Sequence, residues 1–492
     1  MAGLVFTAVL ALWALHWVHL RADFPNNSPW MDYSKYTDEG WYGKAAIHAI
    51  LFGQWYMPGD LNTAVALPVW PALEWLVFHV TGVTIEAARG LALVFFGANL
   101  LLSYALLRTA GAGRLAASGG ILLLSGSMFL WAFSRLAILE PLLTFWTLAG
   151  WLLALRLRPW SDGKRKAALL GVGVLCCLAV LTKTTALFLL PATGAILCWA
   201  GGWRLRQAFL DNGLALLGGV VPWLVYYGLG AHRYAADYHY FFTANSWLQP
   251  RGLHDHLLAY WWAAHGLLWV GPWLVCATLV LLGVALSLSR SFRGAPLVLA
   301  SLLATAGYIG FTGWHNSPQP RYYIVLAYPV VFVAVLATEA LARHSRVLAG
   351  FAVAVLAVVF VRDVNSSVWF ARHPEYTLLN AARGITAYID AHPGEGKRML
   401  LSISGDEITL LTHLPAICDD FGTDELPARI ERYRPGWYAE WNDLDPGTLE
   451  DIHDAGYKLS AVAHWHAFDD EDRDDLILYR MVPLGVVDAH ND

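Results

Sequence analysis

Up to about residue 362 the chain alternates long apolar blocks with short polar turns. The blocks run to about 20 residues, the length an α-helix needs to cross roughly 30 Å of hydrocarbon. Their boundaries predict about eleven spans, near 4–20, 84–107, 115–133, 139–157, 167–181, 184–200, 210–229, 262–288, 295–313, 321–342 and 347–362. Helices are the expected spanning form, because an open sheet would leave backbone amides and carbonyls unpaired in lipid. Block 4–20 lacks a basic start and is followed by Arg21-Ala22-Asp23-Phe24-Pro25 instead of a small-residue cleavage site, so it reads as an uncleaved first span. Residues 67–81 are apolar but few, and include Pro68, Pro71 and Glu74. That pattern predicts an interfacial or re-entrant helix, with a short extra span as the alternative.

Beyond residue 375 the pattern changes. Short apolar runs at 399–404, 416–419, 437–441, 459–463 and 476–482 read as strands, and 378–391, a segment from Gly405-Asp406-Glu407, 424–433 and 448–455 read as helices between them. Strands alternating with helices predict a small α/β domain with a largely parallel sheet over 375–492. No glycine-rich loop follows its first strand, which argues against a nucleotide site. His464-Trp465-His466 places two imidazoles on one strand face, but no third ligand is evident, and 469–475 reads as a solvated acidic turn.

Composition agrees with the pattern. Of 492 residues, 57% are hydrophobic and 14% charged, where soluble domains carry roughly 25% charged residues. There is no basic stripe for nucleic acid. Four of the five cysteines lie in apolar spans without metal-ligand spacing, so they read as small buried hydrophobes. With the amino terminus placed in the cytoplasm, the inside loops collect pairs and clusters of Arg and Lys, such as Arg108 with Arg114 and Lys164-Arg165-Lys166. The outside turns hold few: Arg135, Lys183, Arg233 and Arg251. This positive-inside pattern puts the first loop (21–83), the loop near 231–258 and everything after about residue 363 outside.

An ionisable group within or at the edge of a bundle is costly, so each needs an account. Asp38-Glu39 opens 38–55, where Trp41, Ala45, Ala49 and Phe52 recur at helical spacing, as in a surface-lying amphipathic helix. Such acids also suit a helix macrodipole. The same dipeptide at Asp406-Glu407 and Asp424-Glu425 reads as a solvated helix start. Glu140 precedes Pro141 at the start of a span, where it can cap the helix, pair with Arg135 or serve a site. Lys183 sits in a hairpin, Thr182-Lys183-Thr184, too short for an ordinary loop; it can snorkel or bind an anion. Arg321 starts Arg321-Tyr322-Tyr323 after the polar stretch Trp314-His315-Asn316-Ser317-Pro318-Gln319-Pro320, and its planar fork suits phosphate as well as interfacial anchoring. Acids and cations gathered on one side of a membrane match one task. A departing lipid phosphate needs cations, and an attacking hydroxyl needs a carboxylate to take its proton.

At these residues the chain resembles the GT-C superfamily of membrane glycosyltransferases, in the branch of protein O-mannosyltransferases and the aminoarabinose transferases that modify lipid A. Four landmarks match in order over about residues 1–345: Asp38-Glu39-Gly40-Trp41-Tyr42, Arg135 to Glu140-Pro141-Leu142-Leu143, Leu181-Thr182-Lys183-Thr184, and Pro320-Arg321-Tyr322. Thr184 stands where the family often has glycine. The resemblance implies a polytopic α-helical transferase, residues 1–362, in a bacterial inner membrane, with an inverting transfer from a polyprenyl-phosphate sugar to a glycan, lipid or protein acceptor. It implies Asp38 as base with Glu39 beside it, and Tyr42, Glu140 and His315 at the sugar or acceptor pocket. Lys183, Arg321, Tyr322 and Arg135 would meet the lipid phosphate. No cofactor is expected, and the pattern favours the metal-independent branch. The competing readings are a transporter or flippase of a lipid-linked substrate, against which stand the missing internal repeat and the rim position of the charges, and a non-catalytic assembly protein.

Overall fold

The computed structural model describes residues 2–26, 28–158, 160–244, 252–315, 319–468 and 473–485. Asn316, Ser317, Pro318, Arg251 and the 469–472 part of the acidic run therefore lie outside the described residues.

Helix α1 (Ala2–Leu15) is followed by the first loop, which carries α2 (Asp38–Phe52) and α3 (Val69–Thr81). Then come α4 (Ile85–Thr109), α5 (Arg114–Gly126), α6 (Met128–Phe133), α7 (Glu140–Leu155), α8 (Asp162–Thr182), α9 (Leu190–Ala200) and α10 (Leu205–Leu229). The bundle closes with α11 (Ala235–Ala244), α12 (Leu253–Gly266), α13 (Pro272–Leu288), α14 (Arg290–Arg293), α15 (Pro296–His315), α16 (Ile324–His344) and α17 (Arg346–Arg372). Among the described residues six helices are long and apolar enough to cross a membrane, or seven if the bent α12–α13 pair is one span; four shorter apolar helices accompany them. This is an integral membrane protein. Helix α16 is its pillar, buried along nearly its whole length against α5, α7, α13, α15 and α17.

Two predicted spans are broken. The helices flanking Gly271 meet at 105°, because Gly271 takes φ +144°, a region closed to other residues, and Pro272 brings no N–H to continue the ladder. The 115–133 block splits at Ser127, whose hydroxyl accepts the Leu130 N–H at 3.3 Å and starts α6 afresh. Helix α3 has 13 residues, about 20 Å at 1.5 Å per residue, too short to span by itself. It buries Trp70, Glu74 and Phe78 and leaves Trp75, Leu76 and Val80 exposed.

After α18 (Thr377–Ala391) a small sheet is built from β1 (Leu400–Leu401), β2 (Ala416–Ile417), β3 (Trp437–Trp441), β4 (Tyr457–His466) and β5 (Asp475–Pro483). Helices α19 (Gly405–Thr412), α20 (Leu426–Tyr433) and α21 (Pro446–Asp454) lie between the strands in sequence. The order is β2-β1-β3-β5-β4. The sheet is mixed, not largely parallel. Strands β2, β1 and β3, linked through helices, run parallel; β4 and β5, joined by a short connection, can only return antiparallel, and β5 lies antiparallel on β3.

The sheet layer and the first loop share buried cores. Tyr36 packs with Ile385, Trp437, Trp441 and Phe468, Met57 with Leu401 and Ile417, and Leu410 of α19 with Ile47, Trp70 and Leu142. Between them lies a buried ion network: Lys44 Nζ is 2.6 Å from Asp60 and 3.2 Å from Asp406, and Arg429 reaches Asp60 at 3.4 Å. Helix α2 turns Lys44 and His48 toward Asp406 of the sheet layer, and its Trp41 indole N–H donates to the Ile403 carbonyl at 3.1 Å. Asp38, Glu39, Lys44 and His48 are all buried, while Trp41, Ala45 and Ala49 are half-buried and Phe52 is exposed. The surface-lying amphipathic helix expected at 38–55 is in fact a helix held on both sides. Asp406-Glu407, expected to be solvated, is buried beneath it.

Candidate active site

Asp38 and Glu39 open α2 on consecutive residues, so their side chains leave the helix roughly 100° apart and meet different surroundings. Asp38 is 2% exposed. Its Oδ1 accepts the Thr37 hydroxyl at 3.2 Å, and its Oδ2 lies 3.0 Å from Arg321 Nε. Arg321 comes from the 3₁₀ turn Pro320–Tyr323 that leads into α16. Its Nη1 donates to Asp32 Oδ1 at 2.5 Å and its backbone N–H to Asp32 Oδ2 at 2.8 Å. One guanidinium is therefore shared by two buried carboxylates.

Across Tyr322 stands a second pair. Glu140, fully buried at the start of α7, takes Lys183 Nζ on Oε1, while its Oε2 has no hydrogen-bond partner among the described residues. Lys183 ends α8 in an extended conformation, φ −154° and ψ 125°, which throws its side chain off the helix and toward the site. The Tyr322 ring lies between the cations, its centroid 4.5 Å from Lys183 Nζ and 5.0 Å from Arg321 Cζ. His315, at the end of α15, meets the edge of Tyr322 with ring centroids 5.8 Å apart. Tyr42 is one turn beyond Asp38 on the same face of α2, and burial, then the Asp38 charge, holds its hydroxyl well above the ordinary phenol range.

The structure thus gathers Asp38, Tyr42, Glu140, Lys183, His315, Arg321 and Tyr322. It does not gather Glu39 and Arg135. Glu39 is bound to Arg89, whose Nε reaches Oε2 at 2.8 Å and whose Nη2 reaches Oε1 at 2.5 Å, and it also accepts the Ala137 N–H at 2.6 Å. Arg135 donates to the carbonyls of Val18 at 2.8 Å and His19 at 2.6 Å and lies over Trp131. It holds the turn that follows α1, and Glu140 pairs with Lys183 instead.

Asp32 and Arg89 escaped the reading of the sequence. Arg89 carried a signal, a cation within a predicted span. Asp32 carried a weaker one, an acid six residues before Asp38 in the same loop. His466 lies 2.7 Å from Asp474 and 3.7 Å from Asp475 on β4, an outer strand of the sheet.

Beside Lys183, an apolar cavity of about 460 Å³ is walled by α8, α9 and α10, with Val172, Leu181, Thr184, Leu187 and Trp223 among its lining residues. Along α8 it extends from Val172 to Leu181, roughly 14 Å.

The family profile described as dolichyl-phosphate-mannose-protein mannosyltransferase matches residues 72–230, less than half of the chain. No curated protein sequence matches. Among solved structures, ArnT from Cupriavidus metallidurans in the apo state is 13% identical with a TM-score of 0.61, over 96% of this chain and 97% of that one. The same protein bound to undecaprenyl phosphate is 14% identical with a TM-score of 0.59, over 97% of each chain. The Archaeoglobus fulgidus oligosaccharyltransferase in its apo form is 11% identical with a TM-score of 0.52, over 96% of this chain and 76% of that one. At these identities the likeness is one of architecture, and it takes in both the helical bundle and the sheet layer: the chain shares the fold of ArnT and of this oligosaccharyltransferase.

Proposed function

We propose that this protein transfers a sugar from a polyprenyl-phosphate carrier to an acceptor hydroxyl on the extracytoplasmic side of a bacterial inner membrane. The observation that carries the reading is the pair of buried carboxylate–cation contacts, Asp38–Arg321 and Glu140–Lys183, flanking Tyr322 beside an apolar cavity deep enough for part of a lipid tail. ArnT, similar over its whole length, binds undecaprenyl phosphate. On this reading residues 1–362 form the membrane transferase, with its seven longer spans and four shorter apolar helices together making about eleven crossings. Residues 375–492 face outside as an α/β domain and the amino terminus is cytoplasmic, as the Arg and Lys distribution supports.

The charges set the order of events. Asp32, Asp38 and Glu140 outnumber Arg321 and Lys183, so in the resting site neither cation is spare. A donor phosphate must compete for Lys183 with Glu140 and for Arg321 with Asp38. Taking Arg321 releases Asp38 Oδ2, the oxygen then able to accept the proton of the acceptor hydroxyl. The acceptor oxygen attacks the anomeric carbon, the carbon–oxygen bond to phosphate breaks, and polyprenyl phosphate leaves with the bonding pair, held by Lys183 and Arg321. A single displacement of this kind inverts the anomeric centre. Tyr42, Glu140 and His315 would line the sugar or acceptor, and no step calls for a cofactor.

Purified protein incubated with a panel of polyprenyl-phosphate sugars is expected to consume one of them and release polyprenyl phosphate. Consumption of none by folded protein supplied with glycan, lipid and protein acceptors would sink the reading. Lys183→Met is expected to raise the donor KM roughly 10- to 100-fold, the worth of one charge-assisted hydrogen bond. An unchanged donor KM would remove Lys183 from the phosphate site.

A further inference from the structure

The second Asp-Glu pair of the chain meets the first. Helix α2 begins without a side-chain cap: the Thr37 hydroxyl turns instead to the Tyr33 carbonyl at 3.0 Å and to Asp38. That leaves the amides of its first turn short of acceptors. One of them, the Gly40 N–H, is taken at 2.8 Å by Glu407 Oε2, from a residue 367 positions further along the chain. Glu407 lies in the first turn of α19, so two helix starts abut. The approach requires glycine, since a Cβ at Gly40 would run into the Asp406 backbone. One turn on, Lys44 of α2 is tied to Asp406 of α19 at 3.2 Å. Burial, then the neighbouring Glu39 charge, pushes the Glu407 carboxyl well above the ordinary range.

We propose that Glu407 is a positioning residue for Asp38: the sheet layer caps the helix that carries the base and fixes where its first turn points. This rests on the transferase reading only in naming what is positioned. The consequence follows from geometry. Asp38 lies two residues before Gly40 in the same turn, and its 3.0 Å approach to Arg321 holds only while that turn is fixed. Misplacement of a reacting group by about 1 Å can cost on the order of 100-fold in rate.

The test uses the full chain in nanodiscs. Glu407→Gln keeps a carbonyl oxygen at the same reach and is expected to retain near-normal kcat. Glu407→Ala removes the acceptor, and Glu407→Asp withdraws it by one methylene while keeping a carboxyl group; both are expected to lower kcat by about 10-fold or more with the donor KM within about two-fold. The aspartate variant serves where the alanine one does not fold. Amide hydrogen exchange over residues 37–47 gives a readout independent of turnover, and is expected to quicken in the alanine and aspartate variants and stay at the wild-type rate in the glutamine one. Wild-type kcat in folded Glu407→Ala, unchanged exchange there, or a glutamine variant as impaired as alanine would overturn the positioning role. If the wild-type chain consumes no donor, the transferase reading has failed, and the exchange data alone decide whether Glu407 fixes the turn.

Discussion

Asp38→Asn is expected to reduce donor consumption by roughly 100- to 10,000-fold, the usual contribution of a general base, while leaving a folded protein. The substitution is nearly isosteric. Asn keeps an oxygen for the Thr37 hydroxyl, so the local turn survives. It also spares the fold the usual penalty of breaking a buried ion pair, because Arg321 retains Asp32 through its Nη1 and its backbone amide. What disappears is the proton acceptor at Oδ2. Single-turnover consumption of the preferred donor, with thermal unfolding of the same sample, separates the two effects. A variant that folds and still turns over at a near-normal rate would show that another group removes the proton.

The membrane layer and the cast of the site were legible because lipid makes polar residues expensive. Asp38, Glu140, Lys183 and Arg321 stood out as ionisable groups at the ends of apolar runs, and the structure brings all four together. What the sequence hid was partnership. Which carboxylate meets which cation depends on contacts between segments hundreds of residues apart, and no local period encodes that. Asp406-Glu407 has the composition of an ordinary solvated helix start; only the docking of α19 on α2 at Gly40 makes it a buried cap. Arg135, five residues before Glu140, was one partner the sequence allowed, yet Lys183 arrives from another helix and takes that place. In the sheet, alternation with helices pointed to the parallel trio, whereas β1 and β2 are only two residues long and the return of β5 between β3 and β4 leaves no mark in composition. The break at Gly271-Pro272 did have a signal, a dipeptide that serves a turn better than a straight helix, and the even hydrophobicity on both sides concealed it.

Arg89→Met is expected to cost about 3–5 kcal/mol of stability, the price of stranding a buried charge. Arg89 is 5% exposed and holds Glu39 through two nitrogens while donating to the Leu20 and Ala22 carbonyls at 2.8 and 2.6 Å, so it ties the first span, the first-loop helix and α4 together. Its loss removes both guanidinium contacts from the buried Glu39 carboxyl, which keeps the Ala137 amide at 2.6 Å. Glu39→Gln strands Arg89 in the same way and is expected to lower the unfolding temperature clearly. The double variant Glu39→Gln with Arg89→Met is expected to lose less than the two singles summed, since neither buried charge remains. Turnover per folded molecule gives the opposite ranking. Asp38→Asn should fold and fail to react, whereas folded Glu39→Gln should react. That contrast follows from a rotation of about 100° between neighbours on one helix turn, which sends one carboxylate to Arg321 and the other to Arg89. A Glu39→Gln protein as stable as wild type but inactive would exchange the two roles.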